Sequence, residues 1–211
     1  MKHLNQYINI RKRKSSLAPQ NTKELIKIVL DEMKRFGNDT DLNHIDVSGV
    51  KTFYSVFNTF FNHEFINFNC DISKWDVSNV ISMEYAFNGC ENFNGDLSEW
   101  DVSNVISFCG MFNHCTIFNC DISKWDTHKA VDMNTMFQLA KEFNQPIGTW
   151  NTDNVINVDH MFWNAKKLDQ DFSSWSFPLI KAKGSYGVFL GTSMKKEHMP
   201  KNNWIDCTIS I

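Results

Sequence analysis

Six cysteines, seven histidines and two regularly spaced rows of aspartates are the residues of this chain with types and spacings suited to chemistry. Cys90 and Cys115 stand 25 residues apart, Cys70 and Cys120 stand 50 apart, and Cys109 and Cys207 have no evident counterpart. Such thiols can pair as disulfides, hold zinc with a residue such as His114, or pack as small apolar groups. Asp71, Asp96, Asp121 and Asp171 form one acidic row, interrupted by Pro146, and Asp76, Asp101, Asp126 and Asn151 form a second. Repeated carboxylates can bind calcium, work as a glycosidase pair, or accept hydrogen bonds from turn backbone.

The spacing itself decides among these. Trp75, Trp100, Trp125, Trp150 and Trp175 recur every 25 residues, and FNCDISKWD is repeated at 68–76 and 118–126. Phe87, Phe112, Phe137 and Phe162 keep the same step, as do Phe68, Phe93, Phe118, Phe143 and Leu168. Asn69, Asn94, Asn119 and Asn144, ending in Asp169, form an asparagine row. A period of 20–50 residues implies a repeat solenoid, in which one coil cannot bury its apolar face alone and stacking makes ladders of like side chains. Five coils at a strand spacing near 4.8 Å would stack over roughly 20–25 Å. Each coil reads as short parallel strands, as in DLSEW, and a short helical turn, as in SMEYAFNGC with Met83, Ala86, Phe87 and Cys90 on one face.

A carboxylate present in nearly every coil belongs to a scaffold, so the aspartates are expected to close Asx-type turns and the asparagines to satisfy backbone at a corner. The thiols read as buried and reduced. A Cys90–Cys115 bridge, a zinc site and calcium between coils stand as alternatives, although no C-x-x-C pair and no calcium-solenoid glycine signature is present. Cys70 and Cys120, two coils and about 10 Å apart, are too distant to bridge. No Ser/His/Asp set and no phosphate-binding glycine loop is marked by the pattern, so no catalytic, cofactor or metal residue is assigned and the chain reads as non-enzymatic.

Solenoids need caps. Asn21 with Glu24 makes a capping box ahead of Leu25, Ile28, Val29, Met33 and Phe36, and Gly37 closes a helix over about 22–36. The expected organisation is a basic arm at 1–20, a capping helix within 21–40, repeats at 41–180, and a degenerate repeat and cap at 181–211. DVSGV at 46–50 precedes DVSNV at 76–80 by 30 residues, so the first coil holds an apolar insertion near 58–67, either packed on the core or exposed to a partner.

Charge is uneven. Residues 41–180 carry seven Lys/Arg against eighteen Asp/Glu, between basic ends that include RKRK at 11–14. An acidic body argues against nucleic acid and suits a basic protein surface. No apolar run reaches the roughly 18 residues of a membrane span, and MKHLNQYINIRKRKSS has no signal-peptide core. A cytoplasmic location is expected, or a host cytoplasm or virion if the chain is phage-encoded.

The unit F-N-x-D-I-S-x-W-D-V-S-N-V-x-x-M, over about 41–204, resembles the BspA-like, mycoplasma-lipoprotein-type leucine-rich repeats of bacteria and their phages. The resemblance implies a right-handed solenoid without known catalytic activity, whose members with assigned roles are mostly adhesins or protein-binding proteins. The expected function is a protein–protein interaction module with a rigid acidic surface, with a surface adhesin, a virion component or a host-enzyme inhibitor as alternatives. Self-association is compatible with it. Positions that depart from the repeat are the candidate contacts: Lys74, Glu99, Lys124, Thr149 and Ser174 beside the tryptophans, His128, Lys129 and Asp153 in the turn, and His160 and Trp163 further on.

Overall fold

The structure is a computed structural model and describes residues 17–180 and 185–200. The basic run at 11–14, Trp204 and Cys207 lie outside the described residues. Helix α1 spans Thr22–Phe36. Its first turn is closed by Asn21, whose side chain accepts from the Glu24 N–H at 3.0 Å, while Glu24 reaches back to the Gln20 N–H at 2.9 Å. Gly37, at φ 102°, ends it by donating to the Met33 carbonyl. Leu25, Val29 and Met33 are buried, as the apolar spacing requires, and Thr22 Oγ1 caps the Thr52 carbonyl at 2.6 Å. One expectation of the helical face differs: Phe36 is exposed. Glu32 is buried on that side and meets His44 Nε2 at 3.2 Å.

Beyond α1 the 25-residue units lie one upon the next. The strands expected in each unit are reduced to isolated parallel bridges, Thr52 to Ser82, Ser107, Asp132 and Asn157 in succession, with a separate Asp41–Asp71 bridge.

The expected helical turn is also replaced. Tyr85, Thr135 and His160 have φ of 54°, 52° and 55°, Gly110 and Gly187 share the column, and His114, Leu139 and Asn164 are left-handed four residues further along. A left-handed residue every fourth position cannot continue a right-handed helix. What forms instead is a two-way hydrogen-bond pattern. Met83, Tyr85, Phe87 and Gly89 donate to Ser107, Cys109, Met111 and Asn113 of the next unit. The residues between them, Ala86, Asn88 and Cys90, donate three residues back within their own unit. The same alternation recurs from 108 to 115 and from 133 to 140, so these backbone donors are paired without a helix or a sheet.

Aromatic ladders fill the interior. Phe87, Phe112, Phe137, Phe162 and Phe189 stack at 5.5–5.7 Å from unit to unit. Phe93, Phe118 and Phe143 stack beside them, each 3.9–4.4 Å from the phenylalanine before it in its own unit. Full burial of each ring contributes roughly 1.5–3 kcal/mol, and stacked pairs add about 0.5–1.5. The 58–67 insertion divides between its two readings. Phe65, in a 3-10 turn at His63–Asn67, is buried against Phe57, while Phe60 and Phe61 are 69% and 75% exposed.

Candidate interaction surface

Most repeated polar side chains are occupied in holding the units together. In the two aspartate rows and their first members Asp41 and Asp46, the Oδ1 accepts from the backbone N–H two residues on: Ser73 for Asp71, Ser98 for Asp96, Ser103 for Asp101 and His128 for Asp126. These bonds, preceded at Asp121 by one from the Ser123 hydroxyl, hold Asp96, Asp121 and Asp126 below the usual carboxylate range. The asparagine row runs as a ladder. Asn69, Asn94, Asn119 and Asn144 each accept, through Oδ1, the backbone N–H one unit later, ending on Asp169. Asp169 accepts in turn from Lys195 Nζ at 3.1 Å and pairs with His198 Nδ1 at 2.9 Å.

The indole N–H groups of Trp75, Trp100, Trp125 and Trp150 donate to the carbonyls of Leu42, Ile72, Leu97 and Ile122. Trp175 Nε1 is buried without a partner. It follows the one unit in which Pro146 and a 3-10 turn at Ile147–Thr149 replace the usual corner. Cys90 and Cys115 are free thiols that donate to the Phe57 and Phe87 carbonyls at 3.0 Å. Burial pushes both far up, and pushes Cys70 up to about 12. Among the described residues no three His, Cys, Asp or Glu side chains are grouped to hold a metal ion.

The candidate contacts fall in different places. Lys74, Glu99, Lys124, Thr149 and Ser174 share one exposed edge; Glu99 and Lys124 pair loosely at 3.9 Å, and Ser174 Oγ donates to the Gly148 carbonyl. His128 is engaged with Asp126 at 2.9 Å, and Lys129 Nζ donates to Asn104 Oδ1 at 2.6 Å, taking the place of the asparagines that bridge units elsewhere in that column. Asp153 is exposed, with its N–H held by Asn151. Trp163 is half-buried and its ring meets His160 edge-on at 5.9 Å, with Tyr186 5.2 Å from His160 on the other side. The structure brings His160 and Trp163 together and leaves the tryptophan-side edge as a separate surface.

A further group escaped the reading of the sequence. Ser82, Ser107, Asp132 and Asn157 mark the bridge column, and Glu84, Cys109, Asn134 and Asp159 the column two residues on. Burial raises Asp132 above the ordinary carboxylate range, and the nearby charges of Glu84 and Asp159 add to it. Tyr85 and Cys109 meet at 3.4 Å in a hydroxyl–thiol hydrogen bond, which together with burial raises the Tyr85 hydroxyl. Beside them runs an exposed apolar row, Ile81, Ile106 and Ile156 with Val131 between. The clue in the sequence was that the column Glu84, Cys109, Asn134 and Asp159 has no shared residue, unlike the scaffold columns around it.

The family described as mycoplasma protein of unknown function, DUF285, matches residues 23–119 and again 99–201, and the chain belongs to it. The two overlapping matches are those of a chain built from repeats. No curated protein matches the chain, and no solved structure does. Among the described residues, no helix is long and apolar enough to cross a membrane.

Proposed function

We propose that this chain is a leucine-rich-repeat-like solenoid of the BspA-like kind and a non-enzymatic module for binding another protein. The observation that carries the reading is the division of labour among the exposed columns. Repeated polar residues spend their hydrogen bonds on neighbouring units, as in the asparagine ladder from Asn69 to Asp169. The side chains that change from unit to unit beside the tryptophans, Lys74, Glu99, Lys124 and Thr149, are exposed and make no hydrogen bond to a neighbouring unit's backbone. A rigid array with a varied, mostly acidic surface is suited to recognising one partner surface at small ordering cost. The excess of eighteen acidic over seven basic residues in 41–180 favours a basic partner.

The test is affinity capture from host lysate with the full chain and two variants of unchanged circular dichroism. One carries Lys74, Glu99 and Lys124→Ala, the other His160 and Trp163→Ala. One dominant protein, lost in one variant and retained in the other, is the expected result. Equal recovery of the same background with all three chains would overturn the reading.

A further inference from the structure

The bonds from unit to unit stop at one end of the stack. In each earlier unit the N–H groups of alternate residues reach carbonyls of the unit after it. Tyr85, Phe87 and Gly89 reach Cys109, Met111 and Asn113, and His160, Phe162 and Asn164 reach Tyr186, Val188 and Leu190. Gly187, Phe189 and Gly191 hold the same places in the last described unit. Gly187 and Gly191 are left-handed like His160 and Asn164, and Phe189 stacks on Phe162 at 5.6 Å. The N–H groups of these three residues make no hydrogen bond among the described residues.

A second observation bears on the same donors. Gly187 and Phe189 are buried. A buried backbone N–H without an acceptor is rare, because the hydration it loses is not replaced. The opposite end of the stack shows what closure requires. There Leu25, Val29 and Met33 of α1 are buried, and Thr22 Oγ1 takes the Thr52 carbonyl at 2.6 Å. Two copies cannot close the open end on each other. A two-fold contact would set donors against donors, and a head-to-tail contact would meet α1 with the Thr52 carbonyl already held.

The occupant must offer carbonyls at every second residue of an extended backbone. The chain itself continues from this unit, beyond Pro200, through residues 201–211, which lie outside the described residues. Eleven extended residues reach roughly 36 Å, and the two sides of a coil, like packed sheets, are about 10 Å apart. That length crosses the end of the stack and leaves 207–211 to run along the donors. Cys-Thr-Ile-Ser-Ile alternates apolar and polar residues and is rich in β-branched ones, which suits an extended run. Its residues 207, 209 and 211 repeat at i, i+2 and i+4, as the three donors do.

We infer that the open end is a docking edge for extended main chain and that residues 201–211 of the same chain occupy it. Carbonyls of the 207–211 run accept from Gly187, Phe189 and Gly191, and Trp204 covers the end of the phenylalanine ladder at Phe189. This inference is independent of the protein-binding reading above.

The experiment is amide hydrogen exchange of the full chain, read residue by residue by NMR. Gly187, Phe189 and Gly191 are expected to exchange about 100-fold or more slowly than unprotected amides. A variant carrying Trp204, Ile209 and Ile211→Ser should lose that protection while Tyr85, Phe87 and Gly89 stay slow, which reports an intact fold. Ile209→Asp alone, a milder change, should speed the same three amides about tenfold. Fast exchange of the three in the unaltered chain would overturn the docking edge. Protection kept in both variants would overturn 201–211 as its occupant. Protection that falls on dilution would assign the edge to another copy of the chain and overturn the pairing within one.

Discussion

The Tyr85 ring fills the space in which residue 110 would carry a side chain: a Cβ on Gly110 would stand 2.4 Å from the ring carbons Cδ1 and Cε1. Gly110 is also left-handed, at φ 59°. Gly110→Ala is therefore expected to destabilise the protein by about 2–3 kcal/mol, combining the left-handed penalty with the displaced ring. In the Tyr85→Ala background the same change should cost only about 1 kcal/mol. A double-mutant cycle by urea unfolding measures the difference, and equal costs in both backgrounds would refute the contact.

The tryptophan row offers an internal control. Trp100→Phe leaves the Ile72 carbonyl without the indole N–H that reaches it at 3.1 Å, whereas Trp175→Phe deletes an N–H with no partner. Trp100→Phe should cost about 1–2 kcal/mol more than Trp175→Phe. The comparison is read from the two denaturation midpoints.

Two carboxylates should respond to pH with opposite signs. Asp169 is held below its usual pKa by His198 first and Lys195 next, so its contribution is present above the unfolded value of 3.8 and is lost as the pH falls through the lower folded value. Asp132 is raised by burial, so its contribution is present below 3.8 and is lost as the pH rises. Asp169→Asn is expected to weaken the fold at pH 7, and Asp132→Asn to strengthen it. Both differences should shrink as the pH falls through each group's folded pKa, which denaturation at successively lower pH from 7 downward will show.

Thiol reactivity should follow burial. Cys70, Cys90 and Cys115 are buried, while Cys109 and Cys120 are half-buried. Brief alkylation of the native chain, mapped by mass spectrometry, should label Cys109 and Cys120 before the other three, which become reactive on unfolding. Early labelling of Cys90 would contradict its hydrogen bond to Phe57.

Much of the architecture was legible because it repeats. A tryptophan every 25 residues announces a ladder, and Asn21, Glu24 and Gly37 bound α1 at both ends. The turn after the bridge was not legible, because Tyr85, Thr135 and Leu139 are residues whose propensities give no sign of positive φ. They are held there by bonds to the next unit, a tertiary cause. The acidic group on the bridge side was hidden for a related reason. Glu84, Asp132 and Asp159 share no single column and come together only through the register of the stack. A search for departures from the repeat pointed to Lys74 and Lys129, and Lys129 proved to be a bridge to Asn104.

The alternating backbone bonds have an electrical consequence. Between units 53–59 and 82–88, and at each later junction, three or four carbonyls point back toward α1 and their N–H donors point away from it, while fewer bonds, the Ile81–Ile106–Val131 column and pairs such as Asn69 to Asn38 and Glu142 to Thr116, run the other way. The excess sums to a dipole along the stack, with its negative pole at α1 and its positive pole near 187–191. That polarity is the reverse of an α-helix, whose amino end is positive.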